Sequence, residues 1–190
     1  MYGKIISEWN GKSLMQKVIH SNVEILDQLS GFIEGLDESV YVKVSKPLFE
    51  SSIGQHLRHI LDIFQALMKE TNPTFVDYDL RRRGIPLETD PQAGLDELEE
   101  VTQWLKSLNP STFDQPLQIS TEVSLSSEET AKLNSSLGRE LCFASSHLTH
   151  HLALMVVHAK LLGMEIDSKL GVAPSTATFM REQEQISCAH

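Results

Sequence analysis

The sequence predicts an all-α fold, a four-helix bundle with long connections. Four segments repeat their apolar residues at helical spacing. Each has a plausible start or stop residue at its edges. The chain of 190 residues fits one domain, spanning 1–190, and no internal repeat is evident.

The first helix is predicted from Ser13 to Leu36, with Ser13 as its N-cap. Leu14, Val18, Ile25, Leu29, Phe32 and Leu36 mark its apolar face. From Asp37 the chain reads as a loop that includes "VYVKV" and ends near Pro47. The second helix is expected from Ser52 to Glu70, capped by Ser51 or Ser52 and stopped by "TNP".

For the third helix Asp90 is the natural N-cap and Pro91 its first residue. Acidic residues crowd its early turns and Lys106 lies near its end, which suits the helix dipole. "NPS" stops it. The fourth helix runs from about Ser136 to Leu162, with Gly163 as its C-terminal punctuation. It is the longest and most apolar, so a central position is expected.

Between the third and fourth helices "QPLQISTEVSLS" alternates in places and admits a short hairpin. The tail "GVAPSTATFMREQEQ" fits a short fifth helix capped at Ser175. The connections Asp37–Ser51, Thr71–Asp90 and Asn109–Ser135 are long for a minimal bundle, and long connections often carry function.

Composition narrows the function. Hydrophobic residues make up 41% and charged residues 22%, as in ordinary soluble domains. The formal net charge of −10 is the wrong sign for neutralising phosphates, so no nucleic-acid partner is expected. Cys142 and Cys188 form no CxxC and no disulfide framework, which fits a reducing cytoplasm. "MYGKIISEWNGKS" lacks a signal-peptide core, and no window approaches a membrane-spanning length of apolar residues. The expectation is a cytoplasmic protein that does not engage a membrane.

Six of eight histidines fall in two windows: His56 and His59, then His147, His150, His151 and His158. Residues four apart on a helix share a face, so His147 and His151 point the same way. His158 and Glu140 fall near the same azimuth. A lone histidine on such a face is usually a packed core or rim residue. Several imidazoles buried without partners would cost a few kcal/mol each. One divalent metal satisfies them together, and imidazole is a standard ligand for Zn, Ni, Fe and Cu. The pattern is not HExxH: Leu148, Thr149 and His150 separate His147 from His151, and the protease glutamate is missing.

"SIGQHLRHILDIF" resembles the second-helix motif of the DinB/YfiT-like superfamily, and "SHLTHHLAL" resembles its fourth-helix H-x-x-H-H motif. "YDLRRRGIPLETD" with "LGVAPST" is similar to a less characterised bacterial branch. The resemblance covers about Ser13 to Thr178.

It implies a DinB-like four-helix bundle holding a divalent metal, Zn, Ni or Fe, on three histidines. Carried over, these are His59, His147 and His151, with His56, one turn earlier, as the alternative to His59. His150 is then a neighbour of unsettled role, and His158 a core or rim residue. The implied function is a metal-dependent enzyme that activates a low-molecular-weight thiol or water for transfer or hydrolysis on a small molecule. The alternative is a non-catalytic metal-binding or stress-response module. A homodimer through helix faces fits either.

No general acid or base stands out. Glu140 is two turns from His147, and a rim ion pair with a cation of the "RRR" loop is the expected role. Arg81, Arg82 and Arg83 admit two readings. They recognise a carboxylate or phosphate on a small substrate, or they pair with Asp77, Asp79, Glu88 and Asp90 and pin the loop. Pinning is the favoured reading. Trp104, Phe64, Leu154 and Met155 read as core, and Trp9 as an end residue or a lid. Cys142 lies on the opposite side of the fourth helix from His147 and is assigned no role.

Overall fold

A computed structural model describes residues 14–69 and 74–187. Ser13, Trp9, Glu70 and Cys188 lie outside the described residues. Helix α1 is Leu14–Glu34 and buries Ile25, Leu26, Leu29, Phe32 and Ile33 along one face. Leu14, at its start, is exposed.

The segment read as a loop holds a short helix, α2, Glu38–Tyr41. Tyr41 is fully buried, and its hydroxyl donates to the Leu87 carbonyl at 2.5 Å. Burial pushes its phenol pKa up, Asp90 and Glu88 adding to the shift.

Helix α3, Ile53–Met68, opens with a capping box. Ser52 Oγ accepts from the Gln55 N–H, and Gln55 Oε1 accepts from the Ser52 N–H. Gly54 sits where a Cβ would overlap the Glu88 carbonyl and the Tyr41 ring. Its missing side chain lets α3 lie directly on the 3₁₀ turn Pro86–Glu88.

Helix α4, Pro91–Ser107, starts as expected: Asp90 accepts from the Gln92 N–H and Pro91 follows. Helix α5, Leu137–Leu161, is the longest. Ser136 caps it by accepting from the Arg139 N–H, and Gly163 follows its end at φ +90°. The last helix, α6, is Pro174–Ser187, so it begins before Ser175. Proline fits the first turn because its missing N–H would have no helical partner there.

Helix α1 packs against α4 and α5, and α3 packs against the same two, closing a ring of four. Leu29, Leu57, Leu61, Phe64, Leu98, Leu105, Leu148, Leu152 and Met155 fill its centre, all fully buried. Trp104 is only partly buried against that core. No described helix is long and apolar enough to cross a membrane.

The chain is mostly helical, and the all-α expectation is corrected by a three-stranded sheet ordered β1-β2-β3. Strands β1, Phe75–Asp77, and β2, Pro116–Glu122, pair in parallel. Strand β3, Thr130–Ser136, pairs antiparallel to β2, from Pro116↔Ser136 to Glu122↔Thr130. The sequence signal covered the first strand of this hairpin and part of its turn. It missed β3, "TAKLNSS", because that strand is polar and largely exposed. It missed β1 because a three-residue strand carries no readable period.

Candidate metal centre

Where α3 and α5 pack together, three half-buried imidazoles converge. They are His59 from α3 and His147 and His151 from α5. One ring nitrogen from each lies within 4.8 Å of the others. The Nε2 atoms of His59 and His147 are 3.0 Å apart. The rings meet edge to face or tilted, with centroids 4.9 Å apart for His59–His147, 4.8 Å for His59–His151 and 4.5 Å for His147–His151.

Partial burial and mutual repulsion keep all three rings neutral near pH 7. Burial is the largest cause for His151, and with His147, His59, His56 and His150 around it the pKa falls to about 3. Burial also lowers His59, to about 4, with Arg81, His147 and Arg58 adding to the effect against Asp62. His147 shifts down for the same leading reason, helped by His150 and Arg81. Neutral imidazole is the form that ligates a metal.

The donor set fits a divalent ion. Two nitrogens bound to one tetrahedral zinc lie roughly 3.3 Å apart. The His59–His147 spacing is within a few tenths of an ångström of that.

His56 stands behind the triad. Its Nδ1 is 3.2 Å from His151 Nδ1, with ring centroids 5.2 Å apart. That contact engages His151 Nδ1 and leaves Nε2 as its free nitrogen. His59 is the third member of the cluster, and His56 contacts it through His151. His150 is exposed, with its ring edge toward His151 at 5.2 Å.

His158 is fully buried two turns away from the cluster, where its Nε2 bonds to Ser45 Oγ at 2.8 Å. Its ring stacks on Phe49 with centroids 4.3 Å apart and planes 3° from parallel. The core or rim role expected of it is the one the packing gives.

Glu140 is fully buried at the start of α5. Tyr78 Oη donates to one of its oxygens at 2.6 Å, and Ser135 Oγ and Arg139 donate to the other. Its cation is therefore the neighbouring Arg139 rather than a member of the "RRR" loop, which lies along α3 and α4 instead. Tyr78 was not foreseen; burial and the Glu140 carboxylate raise its pKa.

The three arginines divide. Arg82 donates to Asp62 at 2.7 Å and grips Glu97 with both terminal nitrogens, at 2.7 and 3.1 Å. Arg58 joins Asp62 to Glu88, at 2.9 Å to each. Pinning thus runs through Arg82, but to Asp62 and Glu97 on the helices rather than to Asp77, Asp79, Glu88 or Asp90. A readable signal existed in the i,i+4 pair Arg58 and Asp62 inside an apolar helix. Arg81 is exposed and reaches the histidine cluster itself, with a guanidinium nitrogen 3.1 Å from His59 Nδ1. Arg83 is exposed.

Fold and site together define a mostly helical scaffold with a three-histidine cluster shared between two packed helices. The chain belongs to the DinB superfamily, whose family profile matches residues 23–155. It is also similar to FK506-binding protein 5 of Rhizopus delemar, 30% identical over 119 residues, 63% of this chain. The chain spans 31% of the length of that relative. No solved structure matches.

Proposed function

We propose that this protein holds a divalent metal ion on His59, His147 and His151 and uses it to activate a thiol or a water for transfer or hydrolysis on a small molecule. The ring of four long helices is read as the DinB-type four-helix bundle. The single observation that carries the proposal is the convergence of three neutral imidazole nitrogens within 4.8 Å.

When bound by three neutral ligands, such an ion keeps its full charge and lowers the pKa of a coordinated water or thiol toward neutrality. The residues of the chain do the rest. Packing of α3 on α5 fixes the distance between His59 and the other two. The His56 contact orients the His151 ring. Phe143, with its ring centroid 5.8 Å from that of His147, walls that imidazole.

Metal analysis of purified protein tests the reading. Wild type should carry about one divalent ion per chain after equilibration with zinc, nickel or iron, and His147→Ala should carry almost none. Equal, near-zero contents would overturn it.

One observation favours the non-catalytic alternative, a metal-binding or stress-response module. Glu140, the carboxylate on the same face of α5, is committed to Tyr78, Ser135 and Arg139 and is not free to move a proton. Exchange of the ligand water, read by thiol or anion perturbation of a cobalt-substituted spectrum, separates an open centre from a closed one.

A further inference from the structure

Resting on the metal reading, we infer that Arg81 and the metal ion are competing partners of His59, so that loading the centre releases this guanidinium beside it.

The inference starts from the two nitrogens of one ring. Guanidinium has donors only. Arg81 lies 3.1 Å from His59 Nδ1, so that nitrogen is the acceptor and must be bare. A neutral imidazole with a bare Nδ1 carries its proton on Nε2. Nε2 is the atom that faces His147 Nε2 at 3.0 Å, inside the cluster. A metal ligand needs that lone pair free. The proton must move to Nδ1, where it would meet an Arg81 N–H donor to donor. Arg81 and a metal at Nε2 therefore exclude each other.

His151 shows the opposite arrangement. Its Nδ1 faces a histidine, which can accept a proton as well as donate one, so its Nε2 can be bare at no cost. One ligand is held ready and the other is held back.

The loop is built for such an exchange. On one side of Arg81, Tyr78 is tied to Glu140. On the other, Arg82 is tied to Asp62 and Glu97, and the Gly84 N–H donates to Glu88. The backbone is anchored on both sides while the Arg81 side chain is exposed and long enough to swing. Once displaced, it stands next to a cationic centre with its donors unused. The chemistry that recruits it is an anion, a carboxylate or a phosphate, on the ligand of the centre. By reciprocity, an anion that captures Arg81 tightens metal binding by the same factor.

The test is zinc affinity by chelator competition, with imidazole nitrogen NMR on the metal-free protein. In metal-free wild type the His59 signals should show a protonated Nε2 and a bare Nδ1. Arg81→Met should bind zinc roughly threefold to tenfold more tightly, the range that one exposed hydrogen bond supplies. The gain should persist at high salt, where simple charge repulsion is screened. Arg83→Met removes an exposed charge nearby and should leave the affinity unchanged.

Equal or weaker zinc binding by Arg81→Met overturns the inference alone, as does a wild-type His59 protonated on Nδ1. A gain that vanishes at high salt, or one matched by Arg83→Met, also overturns it, because charge alone then explains the effect. Failure of wild type to bind zinc overturns the metal reading and this inference with it.

Discussion

Helix α5 carries the same residue type at two places on nearly one azimuth and uses it in two ways. His147 and His151 face other imidazoles across the α3 interface. His158, farther along, faces a phenyl ring and a serine hydroxyl and is fully buried. The helix presents both identically. The difference comes from the partner element: α3 brings His59 and His56, whereas the segment before α3 brings Phe49 and Ser45. A histidine stripe becomes a candidate ligand set only where the facing surface supplies more imidazole.

The sharpest way to break this comparison is to remove the cluster end. His147→Ala or His151→Ala should abolish metal binding, read as metal per chain, while circular dichroism stays that of a folded protein. At the other end His158→Ala should keep the metal and lower stability by about 2–3 kcal/mol, through a lost stack and a cavity. Denaturant titration checks this. Should His158→Ala lose the metal instead, the two ends are one system and the comparison fails.

Glu140→Gln tests the third polar position on the stripe. It keeps the shape but weakens the bonds from Tyr78, Ser135 and Arg139, so a loss of about 1–3 kcal/mol in stability is expected with metal content unchanged. His56→Ala should weaken zinc binding roughly tenfold without abolishing it, since it removes the group that orients His151. Complete loss would make His56 a ligand.

A further test is pH. In the metal-free protein His151 and His59 titrate near 3 and 4, below the unfolded value of 6.5. The unfolded chain therefore takes up protons first, and the neutral rings favour the folded state fully only above that unfolded value. Thermal stability should decline as pH falls from 6.5 toward 3. His151→Ala should flatten that decline, as followed by Tm against pH.

Much of this was legible in the sequence because it is local. Ser52 with Gln55, Asp90 with Pro91, and Gly163 announce helix ends through chemistry confined to a few residues. Spacing alone put His147 beside His151. What was not legible depends on distant partners. The alternation around Leu117 and Ile119 signals β2, but polar β3 is a strand only because β2 lies beside it. Arg82 was read against the nearest acids in sequence, yet its partners come from α3 and α4. The family resemblance already favoured His59 over His56, one turn earlier on α3, and it is His59 whose ring nitrogen lies within 4.8 Å of those of His147 and His151.

Ser136 is the last residue of β3 and the N-cap of α5 at once, with no linker between. The strand pairing Pro116↔Ser136 therefore sets the rotational phase of the helix. One residue inserted at this junction would turn everything after it by about 100°. His147 and His151 would then swing away from α3, while the same insertion in the hairpin turn at 123–129 would leave them aimed as they are. The sheet, polar on its outer strand, acts as the index mark from which their direction is counted.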